Sequence, residues 1–290
     1  MSPSYRPPHF ADHAWQGTVT VAENVQLARD TFRVRIECPE IARSIVPGQF
    51  LMLRLAGLND PLLGRPLALY DTVMSSAGEP VGLDVVYLVV GKLTRRLAEF
   101  QAGQQLEVWG PLGNGFAGHA AGHVLMVAGG IGQTPFMALA RECLGLRRYG
   151  SPPRAVARAG KVTLCYGART ATYLAGVEDF RNLGLDVRVS TDDGTAGYHG
   201  LVTDLARSVL EQFAADCRVV CCGPEPMMHA VAELAARFDV PCQVSLETPM
   251  ACGIGICFSC VARVRDGQGG WDYRRTCVEG PVFDASMIEF

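Results

Sequence analysis

Residues 123–146 read HVLMVAGGIGQTPFMALARECLGL: a strand, a turn with three glycines, then a helix in which Thr134 suits the N-cap and Pro135 the first helical position. The same rhythm recurs downstream, KVTLCYG (161–167) before TYLAGVEDFRNL (172–183) and DVRVS (186–190) before LVTDLARSVLEQF (201–213). RVVCCG (218–223) before PMMHAVAELAARF (226–238) and a last strand CQVSL (242–246) complete it. Strands alternating with helices predict a parallel sheet flanked by helices. The first turn, with Gly130, Gly132 and Thr134, brings backbone N–H groups within reach of a phosphate. It lacks the third glycine of the G-x-G-x-x-G fingerprint, so a plain tight turn competes with a nucleotide site. CCGPEPMM (221–228) ends the fourth strand, and strand carboxyl ends are where open α/β sheets bind ligands.

Upstream, the pattern is short and β-like. TVTVAENV (18–25), FRVRIE (32–37), QFLMLRL (49–55), LDVVYLVV (83–90) and QLEVWG (105–110) are bounded by turn residues and predict an antiparallel barrel or sandwich. GRPLALY (64–70) sets Arg65 before a short apolar strand, and an arginine fork holds a cofactor phosphate well. A surface arginine is the plain alternative. In YLVVGKLTRRLAEF (87–100) a brief helix is expected from Thr94, with Arg95 and Arg96 in its first turn; two cations at a positive helix end call for an anion. The N-terminal residues 1–16 are expected to be a disordered tail. GPLGNGFAGHAAG (110–122) is expected as a linker, and RRYGSPPRAVARAG (147–160) as a disordered insertion.

The last forty residues break the alternation. Cys252, Cys257, Cys260 and Cys277 follow C-x4-C-x2-C-x16-C, whose first three members match the plant-type [2Fe–2S] spacing. Gly253 and Gly255 permit the sharp turns such a loop needs, and VARVRDGQGGWDYRRT (261–276) reads as a hairpin that returns Cys277. Zinc competes, although its cysteines usually come as paired C-x2-C knuckles. Cys38, Cys143, Cys165, Cys217, Cys221 and Cys242 each sit in an apolar element and read as buried free thiols.

Composition sets the outer limits. A chain of 290 residues accommodates two ordinary domains, and 49% hydrophobic content with 32 glycines describes a turn-rich globular protein. With 26 basic against 29 acidic side chains and no long charge block, the footprint for nucleic acid is missing. No apolar run reaches the roughly 20 residues that span a bilayer, and the N-terminus lacks a signal peptide's apolar core, so a cytoplasmic protein with reduced thiols is expected.

RPLALY, VVGKLT, GPLGNGF, GGIGQTP, CCGPEPMM, MACGIGICFSC and TCVEGPVFDA occur in the order found in the ferredoxin reductase family of flavoproteins. The resemblance covers roughly residues 17–290, and the C-terminal part, most specifically the cysteine loop and GPVFDA, closely resembles the electron-transfer subunits of type 1B dihydroorotate dehydrogenases. The resemblance implies an FAD-binding barrel over 17–115, an NAD-binding α/β unit over 116–246 and a [2Fe–2S] unit over 247–290. It places Arg65, Pro66, Leu67, Ala68, Val86, Tyr87, Leu88, Gly91, Leu93 and Thr94 at FAD, and Cys222 and Gly223 beside the nicotinamide. Ala68 departs from the family's Ser or Thr, and Leu93 from a frequent Gly. The absence of an arginine pair for an extra phosphate favours NADH, with Arg169 the one residue that argues otherwise. No side chain need act as acid or base, since hydride passes between NADH and FAD and single electrons pass through the cluster. The implied partner is an FMN-containing catalytic subunit in a hetero-oligomer, a heterotetramer by analogy. A related reductase serving ferredoxin, a hydrogenase or another acceptor shares every one of these motifs, and a zinc-stabilised binding module is the remote alternative.

Overall fold

The computed structural model describes residues 13–118 and 122–290. Six antiparallel strands close a barrel: β1 (Trp15–Ala28), β2 (Thr31–Glu37), β3 (Phe50–Leu55), β4 (Arg65–Met74), β5 (Pro80–Leu88) and β6 (Gln105–Leu112). Their order is β1-β2-β5-β4-β3-β6. Alternate residues of each strand point inward, so Val19, Val21, Val34, Ile36, Leu53, Leu55, Leu83, Val85, Leu106 and Val108 fill one core. Two short helices serve it, α1 (Pro39–Ala42) and α2 (Lys92–Leu97).

The second half is a seven-stranded sheet. It contains β7 (His123–Gly129), β8 (Lys161–Ala168), β9 (Asp186–Thr191), β10 (Tyr198–His199), β11 (Cys217–Cys222), β12 (Cys242–Ser245) and, from the far end of the chain, β15 (Val282–Asp284). The order is β10-β9-β8-β7-β11-β12-β15, parallel except where β15 runs against β12. Helices α3 (Phe136–Cys143), α4 (Val177–Asn182), α5 (Val202–Phe213) and α6 (Glu225–Arg237) flank it. From β7 the chain winds outward through β8 and β9, then returns to β11 on β7's other side. The crevice at that reversal of direction, at the carboxyl ends of β7 and β11, is where such sheets bind ligands. Hairpin strands β13 (Val261–Arg265) and β14 (Trp271–Arg275) form the expected ribbon, joined through Asp266–Gly270.

Several expectations need correction. Trp15 and Gln16 pair with Gly110 and Trp109 of β6, so the expected disordered tail gives way to strand there; residues 1–12 lie outside the description, as do 119–121 of the linker. Helix α2 begins at Lys92, with Gly91 as its N-cap. Thr94 is its third residue and Arg95 and Arg96 fall in its last turn, where the helix dipole favours cations, so the predicted conflict does not arise. Lys92 and Arg96 both pair with Asp60. After β7 the turn winds as a short 3-10 helix, Gly130–Gln133, and Thr134 already has helical torsions, which moves the N-cap of α3 to Pro135. The insertion expected to be disordered is anchored: Tyr149 is buried against the barrel core, and Arg154 forks onto Glu142 with Nε 2.7 Å from Oε1. Two of its arginines meet buried carboxylates, Arg147 that of Asp71 in the barrel and Arg154 that of Glu142 on α3. Among the described residues no helix is long and apolar enough to cross a membrane.

Candidate functional site

Barrel, sheet and cysteine loop meet around one cavity of about 830 Å3. The barrel wall comes from the start of β4 (Arg65, Pro66, Leu67, Ala68), the end of β5 (Val86, Tyr87, Leu88) and the turn into α2 (Gly91, Leu93, Thr94). The sheet contributes Ile131, Thr134, Pro135 and Cys222, and the stretch after β12 contributes Ser245 to Ala251 and Ser259. All ten residues expected at FAD therefore line one cavity with Thr134 and Cys222. A volume of this size suits a cofactor.

The side chains differ in what they have free. Arg65 folds back onto its own loop, Nη1 donating to the carbonyls of Gly64 (2.9 Å) and Leu63 (3.3 Å). The Tyr87 ring packs in the barrel core beside Phe32 and its hydroxyl donates to Asn24 Oδ1 (3.1 Å), so its polar atom is already occupied. Leu93 buries its side chain in the same core, which explains why a large residue stands where glycine is frequent. Thr94 Oγ1 accepts the N–H groups of Val90 and Gly91, both at 3.1 Å, and so closes the turn. Ala68, paired with Phe50 across β3, presents no polar atom beyond its backbone.

Gly130, Gly132 and Gly223 do not line the cavity; they build its back. A Cβ on Gly132 would lie 2.2 Å from the carbonyl oxygen of Cys222, and one on Gly223 would lie 2.9 Å from Gly129 N. Gly132 and Gly223 let the two strand ends at the sheet's reversal touch, which sets Thr134 and Cys222 into the cavity, whereas Gly130 is needed only for its φ of +56°. Burial first, and then the Glu247 carboxyl, push the Cys222 thiol well above its usual pKa, which keeps it protonated. Glu247 was not singled out from sequence. It is exposed at the cavity, and partial desolvation by the surrounding walls raises its carboxyl. Its one sequence signal is its place just past a strand's carboxyl end.

The four cysteines divide into an inner pair and an outer pair. Cys260 and Cys277 are buried against Phe50, Met52 and Leu112, their sulfurs 3.2 Å apart, a contact that lowers Cys260 to about 6 and raises Cys277. Cys252 is half-buried and Cys257 exposed, with hydrogen bonds from Ser259 lowering Cys257 to about 6. Gly253 has φ +74°, and a Cβ there would lie 2.6 Å from Met52 Cγ, so the loop presses on the barrel where only glycine fits. Trp109 Nε1 donates to the Cys252 carbonyl (2.9 Å), and Arg275 Nη1 to that of Gly255 (2.9 Å). Among the described residues no three metal-ligating side chains close around a single ion. Two thiol pairs, with acidified members and a glycine-turned loop, suit a two-iron centre that takes two thiolates per iron.

Comparison with known proteins bears on the same regions. Residues 247–289 match the iron-sulfur cluster binding domain of dihydroorotate dehydrogenase B, and residues 126–233 an oxidoreductase NAD-binding domain. The dihydroorotate dehydrogenase B (NAD(+)) electron transfer subunit of Caldanaerobacter subterraneus subsp. tengcongensis is 35% identical over 277 residues, 95% of this chain and 99% of that one. The protein of the same name from Desulforamulus reducens is 34% identical, over 90% of this chain and 94% of its own. Among solved structures, an NADH-dependent reduced ferredoxin-NADP oxidoreductase superposes with TM-score 0.76 at 31% identity, covering 93% of this chain and 89% of that one. Phthalate dioxygenase reductase, 17% identical with TM-score 0.60 over 93% of this chain and 97% of its own, shares the fold.

Proposed function

The chain belongs to the family of dihydroorotate dehydrogenase B electron transfer subunits, and from that premise we propose that it relays electrons between NAD(H) and the FMN of a dihydroorotate-oxidising catalytic subunit. It is an oxidoreductase subunit that uses FAD, a [2Fe–2S] cluster and NAD(H). When bound, the nicotinamide and flavin exchange a hydride, and the cluster exchanges single electrons.

The chain's own part is to hold and to shield. Arg65 to Ala68, Val86 to Leu88 and the Gly91–Thr94 turn offer FAD a backbone-lined wall, with Ala68 supplying no hydroxyl to the ring. The turn from Gly130 to Thr134 and the Cys222–Gly223 strand end serve NAD(H). Cys252, Cys257, Cys260 and Cys277 hold the cluster, with Cys257 the solvent-exposed one of the four. The working units are the FAD barrel at 17–115, the NAD unit at 116–246 and the cluster unit at 247–290. The complex with the catalytic subunit is a cytoplasmic hetero-oligomer.

The observation that carries this reading is the single cavity walled by all three units. Iron, sulfide and flavin analysis of the anaerobically purified chain tests it, together with its visible spectrum before and after NADH. The reading requires about one FAD and two irons per chain and bleaching by NADH; a colourless, zinc-containing protein refutes it. One observation favours a second reading, a reductase for ferredoxin or another acceptor: the 31% identity to the ferredoxin-NADP oxidoreductase. The protein that co-purifies separates the two.

A further inference from the structure

Between Leu69 and Asp71 the register of β4 against β5 slips by one residue. Such a bulge re-aims side chains. Leu69 stays in the barrel core, whereas Tyr70 turns out to pack edge-on against Phe180 in the core of the other half, with its hydroxyl 3.2 Å from Asp179. Asp71 is 7% exposed, and its donors come mostly from the nucleotide half. Arg147 Nη1 (2.8 Å) and the Tyr149 hydroxyl (2.7 Å) donate to Oδ1, which also accepts Thr72 N (2.8 Å). Arg141 Nε, on α3, lies 2.7 Å from Oδ2 in an ion pair without hydrogen-bond alignment.

We propose that Asp71 is a positioning residue for hydride transfer, clamping the first strand–turn–helix of the nucleotide half against the strand that walls the flavin site. The inference rests on the assignment of the cavity to FAD and NAD(H). Asp71 is three residues from Ala68 along β4, about 10 Å of strand. Arg141 is seven residues from Thr134, also about 10 Å, mostly of α3. One carboxylate thus joins the two cavity walls through short regular elements. Without its charge, the half-buried Arg141 loses its partner on β4 and Arg147 keeps only Thr72, so the seam between the two halves loosens. Glu142 of α3 and the Phe116 carbonyl hold Arg154 from the same loop, so the loop is fastened at both ends.

The test compares Asp71→Asn with Asp84→Asn. Asp84, opposite Asp71 on β5, is equally buried, at 7%, but pairs with Arg35 of β2, so its charge joins barrel strand to barrel strand. Anaerobic stopped-flow measures flavin reduction by NADH and by NADH dideuterated at C4. Asp71→Asn should keep wild-type flavin content, slow reduction by about tenfold to a hundredfold and enlarge the deuterium isotope effect, while Asp84→Asn leaves rate and isotope effect unchanged. In the cofactor-free chain, amide exchange over residues 141–154 should quicken in Asp71→Asn alone. Wild-type kinetics in Asp71→Asn, or equal slowing in Asp84→Asn, overturns the proposal. If Asp71→Asn does not fold, Arg147→Gln decides: slowed reduction with flavin retained supports the clamp, and wild-type kinetics refutes it. A wild-type flavin that NADH does not reduce refutes the cavity assignment itself, and the clamp with it.

Discussion

Replacing Gly132 by alanine puts a methyl group 2.2 Å from the Cys222 carbonyl oxygen and 2.7 Å from Gly223 N. Both opposing atoms are backbone at the end of β11, so no side chain can swing aside. Restoring an ordinary contact of about 3.4 Å requires the glycine turn to retreat by roughly 1.2 Å, at an overpacking cost of about 3 kcal/mol, the upper end of the usual range. The retreat moves Thr134 relative to the barrel wall, and a misplacement near 1 Å costs about a hundredfold in a positioned reaction. Gly132→Ala should therefore retain FAD, whose wall is the barrel, yet slow flavin reduction by NADH about a hundredfold in stopped-flow. Gly130→Ala is the control. Its φ is +56° but no atom lies within 4 Å of the added Cβ, so it should cost about 1–2 kcal/mol of stability without displacing the turn. Reduction of Gly132→Ala at the wild-type rate would show that contact between the two strand ends does not place the nicotinamide.

At the cluster, Cys257→Ser should remove the iron and sulfide signals while leaving FAD bound; a retained cluster of unchanged spectrum means the ligand set is misassigned. At the sheet's far end His123 is buried, its Nε2 2.8 Å from Thr163 Oγ1, and burial followed by the Lys161 cation holds its pKa below the ordinary value. The folded chain then binds fewer protons than the unfolded one between the ordinary histidine value near 6.5 and the lowered one. Stability should fall as pH drops through that window, by up to about 1.4 kcal/mol per pH unit, and His123→Gln should flatten the fall in urea titrations. An identical pH profile in the variant counts against this.

Much of the plan was legible because it is local. Short apolar runs between turn residues mark the barrel strands, the strand–helix rhythm marks the sheet, and the cysteine spacing marks the metal loop. What escapes depends on partners met only in the folded chain. Residues 147–160 look disordered by composition, with prolines and unpaired arginines; Arg147 and Arg154 find Asp71 and Glu142 only once the chain has folded. In sequence Thr94 resembles an N-cap and sets Arg95 and Arg96 at a helix start, whereas in the fold Gly91 takes that place and Thr94 closes the turn from inside. Glu247 carries no motif and gains its position from where β12 ends. The site residues resisted for a similar reason: their polar atoms are largely committed to neighbours, and the cavity offers mostly backbone and apolar surface.

The central claim is that this chain connects NAD(H) to a dihydroorotate-oxidising partner. The direct measurement is anaerobic NAD+ reduction by dihydroorotate, using the purified chain alone, an FMN-containing catalytic subunit alone, and the two mixed. NADH should form only in the mixture, and formation should be lost again with Cys257→Ser. NADH formation by this chain alone, or a mixture no more active than the catalytic subunit by itself, would contradict it.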